Sequence, residues 1–316
     1  MTISAAQQAM RAGRLEQARD SLLALLDSSD DGPELRYNLA MILVRLGDYA
    51  GAATHFSVCL RAAPDNPDIL NNLGNCQRLS GQFAKARTTL EKAMRSAPGN
   101  ASILTNRAWL HLAMDEPEQA GEQFRSVLEK TPSSPEAFRG LAEALKRQGR
   151  FTEAHKVLTA GLQKSPDSAP LLQAMGALYA RQRQPEQAFQ YFERALIKDP
   201  DNPETLLNHG IIAEQLGDLD LAERQFSRAT ALRRGYAPAH FHLAHLSTHQ
   251  PEQREITTLQ QALVNAPDDQ SRIDLGFALG KSFSRLGEHG NAFAAFLEAR
   301  RTLARINPFN IGSALA

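Results

Sequence analysis

Residues Gly276 to Ser282 read GFALGKS, close to the G-x-x-x-x-G-K-[ST] loop whose backbone N–H groups wrap a phosphate while the lysine reaches its outer oxygens. Here three residues rather than four separate Gly276 from Gly280, and Lys281 and Ser282 follow in order. A second set of chemistry-bearing residues lies in AHFHLAHLSTHQ, where His242, His245 and His249 fall at i, i+3 and i+7. Imidazoles so spaced are ligands suited to zinc or copper. Three of them along one straight helix span about two turns and cannot all meet one ion. No Asp, Glu or Cys from the same helix completes the set, so these are weak metal candidates and a solvated histidine face is the plainer reading. Cys59 and Cys76 are too few for a disulfide framework or a zinc site and fall on helix-packing positions. No Ser/His/Asp set, catalytic carboxylate pair or cofactor loop can be read from the sequence. The expectation is a catalytically silent chain that needs no cofactor.

Composition narrows the partners. The chain has 316 residues with Lys plus Arg equal to Asp plus Glu at 35 each, so no net field draws it to nucleic acid or to an acidic membrane. No apolar run approaches the roughly 18–20 residues that span a bilayer, which argues against membrane insertion. The opening MTISAAQQAMRAGRLEQARD lacks the apolar centre of a signal peptide and reads as an amphipathic helix. A soluble cytoplasmic protein is expected. Abundant Ala, Leu, Gln, Glu and Arg, with few β-branched or aromatic residues, favour helix throughout.

What must position these residues is a repeat. Glycines stand at Gly47, Gly81, Gly149 and Gly217, alanines at Ala52, Ala86, Ala120, Ala154, Ala188 and Ala222, and prolines at Pro64, Pro98, Pro132, Pro166 and Pro200, all in steps of 34 or its multiples. Large apolar residues follow each alanine by four: Phe56, Leu90, Phe124, Leu158, Phe192 and Phe226. In residues 67–100, Asn66 caps a first helix that opens on Pro67. Leu70, Leu73, Gly74 and Gln77 face inward, and Gly81 ends the helix in a left-handed conformation. A second helix carries Ala86, Leu90 and Ala93 until Pro98 stops it. The cap position recurs as Asn100, Ser134, Ser168 and Asn202.

This pattern, exemplified by YNLAMILVRLGDYAGAATHFSVCLRAAPDNP at 37–67, resembles the tetratricopeptide repeat. The resemblance implies an all-α fold, an α-solenoid with a right-handed superhelix of about nine helix pairs. It divides the chain into a truncated capping repeat at 1–32 (using Gly13 and Ala18), six regular repeats at 33–236, a degenerate repeat at 237–269, a final repeat at 270–306 that starts from about Ile273, and a tail at 307–316. Asp115 and Arg183 replace the turn glycine in two repeats, where the phrases EPEQA and QPEQA predict proline-assisted second helices. In this register GFALGKS lies inside a helix, its N–H groups are committed to the helical ladder, and Gly280 takes the small-residue position of Gly74, Gly176 and Gly210.

In such solenoids the first helices line a concave groove that holds a protein or an extended peptide. The positions expected to face it include Tyr37, Asn38, Asn72, Asn75, Arg78, Asn106, Trp109, Arg139 and Asn208, with Lys281 also on this side. Asn38, Asn72, Asn106 and Asn208 share one register position, and side-chain amides there can pair with peptide backbone without reading its sequence. The row resembles the asparagine ladder of O-linked N-acetylglucosamine transferases, broken here at Gly140 and Ala174. Two further readings stand beside it: the asparagines order the helix pair, and Trp109, the single tryptophan, packs on a neighbouring helix. Arg45, Arg78, Lys146, Arg147 and Arg181 near first-helix ends complement the helix dipoles without any ligand. Glu136 and Gly140 stand where a carboxylate clamp would need basic residues.

The run HFHLAHL followed by LGFALGKSFSRLGEHGNAFAAFLEARR resembles the closing segment of the repeat array in bacterial sulfotransferases. That resemblance implies the alternative reading, a substrate-recruiting repeat region whose catalytic domain lies beyond residue 316. Phe296, Leu303 and Ile306 on the last helix want cover, which a following domain or a homodimer would supply.

Overall fold

The computed structural model of the chain describes residues 6, 8–9, 12–28 and 32–307. The tail from 308 onward and most of the first eleven positions therefore lie outside the described residues. Each helix pair is built by the same local devices. Pro67 fills the first helical position of α4 (Pro67–Leu79), and the Asn66 side chain accepts from the backbone N–H groups of Asp68 and Ile69 at 3.0 and 3.1 Å. Asn100, Ser134 and Asn202 cap the corresponding helices α6 (Ala101–Ala113), α8 (Pro135–Arg147) and α12 (Pro203–Gln215) in the same way. Ser168 occupies the cap position of α10 (Ala169–Arg181) but its side chain accepts no bond there.

The partners of these helices are α5 (Phe83–Ser96), α7 (Pro117–Lys130), α9 (Phe151–Lys164), α11 (Pro185–Lys198) and α13 (Leu219–Leu232), with α2 (Pro33–Leu46) and α3 (Tyr49–Ala62) preceding them. α1 (Leu15–Ser28) holds the second-helix place of the truncated repeat, with Gly13 at its turn and Ala18 fully buried. The turn glycines adopt φ between 74° and 87° at Gly47, Gly81, Gly149 and Gly217. Asp115 and Arg183 adopt φ 61° and 58° in their stead, and Pro117 and Pro185 open the helices that follow.

Packing repeats with the sequence. Phe56, Phe124, Phe192 and Phe226 are fully buried, each worth about 1.5–3 kcal/mol relative to exposure. The glycines opposite are sized to these side chains. A Cβ built on Gly74 would meet Leu90 at 2.6 Å, on Gly176 Phe192 at 2.9 Å, and on Gly210 Phe226 at 2.6 Å. Among the described residues there are seventeen helices and no strand, an all-α repeat array in which most helices within a unit pack on a sequence neighbour. Contacts separate it into two units, Met1–Ser165 and Pro166–Ala316, each an α-solenoid.

The second unit departs from the period after α13. Helix α14 (Ala237–His245) has 9 residues, and the chain leaves it in extended conformation at Leu246, φ −59° and ψ 134°. The Arg285 guanidinium takes the carbonyls of Leu246 and His249, groups that a continuing helix would have used, and Pro251 disfavours helical backbone at Gln250. Helix α15 (Gln253–Val264) follows, and it packs on the next helix in the chain instead of on α14. Helix α16 (Asp269–Arg285) begins one turn ahead of the expected Ile273, capped by Asp268, whose side chain accepts from the Ser271 N–H. GFALGKS sits inside α16, as expected, and packs on α17 (His289–Ile306): Cβ atoms on Gly276 and Gly280 would meet Ala299 at 2.9 Å and Phe296 at 2.5 Å.

Candidate functional site

In the first unit the neighbouring first helices present a row of half-buried polar and aromatic side chains. Asn72 on α4 donates its amide to the Tyr37 hydroxyl on α2 at 3.2 Å, and Asn106 on α6 donates to the Asn71 amide oxygen on α4 at 2.8 Å. Both bonds span 35 residues, so one register position repeatedly grips the position before it in the preceding repeat. Tyr37 is also held edge-on to Phe56, with centroids 5.5 Å apart. Asn38 turns back on its own helix and donates to the Glu34 carbonyl at 3.0 Å. The rung missing at Gly140 has a steric cause: a Cβ there would lie 2.1 Å from the Phe124 ring, so that position belongs to packing.

Where the amide row stops, Trp109 begins. Its indole N–H donates to Glu136 Oε1 at 3.1 Å, its edge meets Phe124 at 5.2 Å between centroids, and the Arg139 guanidinium lies 4.3 Å from its ring centre. That last geometry is a cation–π contact. Trp109 packs on the next repeat and remains half-exposed. Arg78 completes the group. Its guanidinium donates to Asn75 Oδ1 at 2.7 Å, and its Nε is buried without a partner. Burial lowers its pKa, the Glu136 charge opposes that shift and the Arg139 charge adds to it. Arg78, Glu136 and Arg139 thus share one electrostatic neighbourhood around a single aromatic platform. Arg147 at the end of α8 donates to the Leu112 carbonyl at 2.6 Å, so part of the basic series satisfies helix-end carbonyls, as the dipole reading expects.

The second unit carries Asn208, half-buried on α12, and the histidines. Their expected common face does not form. His242 stacks on Phe226 with centroids 5.3 Å apart, and His245 at the end of α14 contacts the Phe241 carbonyl through Nδ1 at 2.7 Å. His249 lies beyond the helix, 7% exposed, between Glu223 at 3.0 Å and Glu255 at 2.8 Å. Among the described residues no group of three or more His, Cys, Asp or Glu is arranged to hold a metal ion. The solvated-face reading is overturned for His249, because its helix ends four residues early and the loop folds inward. The carboxylates that meet it come from α13 and α15, which periodicity within one helix could not reveal. Cys59 and Cys76 are buried, and burial raises both thiols, Cys76 to about 11, so neither is a nucleophile at neutral pH.

Residues 3–67 and 43–110 match family models described as tetratricopeptide repeat, and residues 108–213 match the N-terminal TPR repeats region of Psidin. The chain therefore carries tetratricopeptide repeats. No curated protein matches it by sequence. Among solved structures, a tetratricopeptide repeat protein from Parabacteroides merdae superposes with a TM-score of 0.62 at 20% identity, covering 76% of this chain and 95% of that one. Human IFIT1, solved as a dimer with m7Gppp-AAAA, gives 0.60 at 18%, covering 95% and 80%. The APC/C hetero-tetramer Cut9–Hcn1 gives 0.59 at 18%, covering 95% and 57%. At these identities the likeness is one of fold. No helix among the described residues is long and apolar enough to cross a membrane.

Proposed function

We propose that this chain is a non-catalytic binding scaffold whose first-helix face in the first unit holds an extended segment of a partner protein. Repeat arrays of this kind offer extended surfaces rather than enclosed sites. The observation that carries the reading is the Trp109 platform, half-exposed and fixed on two sides by Glu136 and Arg139. An aromatic anchor held rigid before binding loses little entropy on contact. Beside it, Asn72 and Asn106 each use one amide N–H within the array and keep the rest of the amide for a peptide backbone. Equal numbers of acidic and basic residues, 35 each, favour a protein partner over nucleic acid, and the likeness to IFIT1 does not extend beyond the fold.

The sulfotransferase-linked alternative rests on the closing phrase alone, and α16 and α17 use that phrase as their mutual packing surface. None of the matches described above names a sulfotransferase. The test selects twelve-residue peptides from a displayed random library against the full chain. Affinity is then read by the anisotropy of labelled peptides, and contact in the parent chain through the emission of Trp109, the single tryptophan. Selected peptides are expected to shift its emission and to lose at least ten-fold in affinity to Trp109→Phe or Arg139→Ala. Peptides that bind both variants as well as the parent chain would defeat the proposal.

A further inference from the structure

The basic side chains at the end of α8 are answered within the chain. Lys146 pairs with Glu143 at 2.5 Å, and Arg147 donates to Glu143 at 3.2 Å and to the Leu112 carbonyl at 2.6 Å. Beside Trp109, two guanidiniums are left with donors to spare. Arg139 is half-buried over the indole ring, and among the described residues it makes neither a hydrogen bond nor an ion pair. None of its nitrogens is sealed from solvent, so its donors stand open to a ligand.

Arg78 supplies an independent observation from another helix. Its Nη2 donates to Asn75 Oδ1 at 2.7 Å, its Nε is buried without a partner, and its Nη1, which is not sealed from solvent, has none either. A guanidinium carries five donors in a planar fork and no acceptor, so most of this one is unspent. Unmet donors in a half-buried place are costly, and Asn75 alone does not complete the set.

Glu136 is the carboxylate of this neighbourhood. Its Oε1 takes the Trp109 N–H at 3.1 Å, and its charge reaches Arg78 together with that of Arg139. Two guanidiniums against one carboxylate leave one net positive charge. Arg78 stands on α4 and Arg139 on α8, and both helices pack on α6, which carries Asn106 and Trp109. The two arginines therefore flank the indole and the amide row.

Building on the peptide-binding reading, on which this assignment rests, we propose that the extended segment presents an aspartate or glutamate side chain to Arg78 and Arg139, next to an apolar residue that covers Trp109. A carboxylate supplies the acceptors that both guanidinium forks lack, and its single charge matches the single net positive one. A phosphate group would bring nearly two negative charges beside Glu136 and overshoot that balance. A segment lying along the amide row passes between the arginines instead of ending there, so the carboxylate belongs to a side chain and not to a chain terminus.

The experiment takes twelve-residue peptides selected on the full chain, amidates their C-termini and reads affinity by anisotropy. The peptides are expected to share an Asp or Glu. Changing that residue to Asn or Gln is expected to weaken binding to the parent chain about ten-fold, but binding to Arg139→Ala or Arg78→Gln by less than about two-fold. Arg139→Lys, which keeps the charge without the fork, is expected to fall between the parent and Arg139→Ala. Because Arg139 makes no polar bond within the chain, Arg139→Ala is expected to melt with the parent, which keeps this arm readable if Arg78→Gln fails to fold. Peptides that shift Trp109 emission yet carry no acidic residue overturn the carboxylate and leave the scaffold standing, as does an equal loss on parent and Arg139→Ala. Affinity that requires a free C-terminus overturns it in favour of a chain end, and tighter binding with phosphoserine in place of the acid overturns it in favour of a phosphorylated partner. Absence of any peptide on Trp109 overturns the scaffold reading and this assignment with it.

Discussion

Asn106 on α6 donates its side-chain amide to Asn71 on α4 at 2.8 Å, across one full repeat. The bond between Asn72 and Tyr37 repeats that relationship one unit earlier. The asparagine row that looks like a peptide-reading ladder is therefore also an inter-repeat clamp, and its two roles share the same amides. Replacing Asn72 and Asn106 together by alanine is expected to lower unfolding free energy by about 1–3 kcal/mol, since each half-exposed bond contributes about 0.5–1.5 kcal/mol. Urea denaturation measures this directly, and an unchanged midpoint would show that the bonds contribute nothing to stability.

Gly140 interrupts that row because Phe124 from the preceding second helix lies against it. Gly140→Ala is expected to destabilise by about 1–3 kcal/mol, the cost of forcing a packed ring aside. Trp109 packs edge-on to the same phenyl ring, so the variant is also expected to shift the tryptophan emission. Fluorescence and denaturation on one sample check both effects.

Arg183 holds a φ of 58° where six repeats carry glycine in the same left-handed conformation. The side chain costs about 1–2 kcal/mol in that region, while glycine loses more backbone freedom on folding. The balance favours Arg183→Gly by about 0.5–1 kcal/mol. A rise in melting temperature is expected, whereas Gly149→Ala, starting from φ 74°, is expected to lower it.

These examples mark how far the sequence could be read. Turn glycines, second-helix alanines and the aromatic four residues on obey one period because each repeat solves the same packing problem against its neighbour. That made the helix pairs, and the helical fate of GFALGKS, readable without coordinates. The end of α14 was not readable, because it depends on Arg285, which lies 36 residues beyond His249 and belongs to another helix. The buried setting of His249 follows from the same contact. The Trp109 platform was half readable: its register position was clear, but Glu136 and Arg139 reach it from the next repeat.

His209 on α12 is 4% exposed, packs 4.5 Å from Phe189 between ring centres, and has both ring nitrogens unpartnered. Burial lowers its pKa, with the charges of Glu193 and Asp218 opposing. Above pH 6.5 folded and unfolded states are both neutral at this residue and it adds no pH dependence. As pH falls below 6.5 the unfolded chain takes up a proton that the folded state refuses, so stability declines. His209→Leu is expected to raise stability by about 1–3 kcal/mol by removing unpaired buried nitrogens. Melting curves from pH 7.5 to 5 are expected to fall less steeply in the variant, and parallel curves would remove His209 as the acid-sensitive group.

His249 responds in the opposite direction. Burial alone would lower its pKa, but the bonds to Glu255 and Glu223 outweigh burial and raise it. A raised folded-state value means that the Glu223–His249–Glu255 contact contributes fully below pH 6.5 and is lost as pH climbs through the elevated value. His249→Gln keeps a hydrogen-bonding side chain without the charge. The gap between parent and variant melting temperatures is therefore expected to be widest near pH 6 and to narrow as pH rises. Hydrogen exchange along residues 246–252 is expected to accelerate over the same interval in the parent chain. A gap that stays constant across that range would mean that His249 is held by packing and not by its charge.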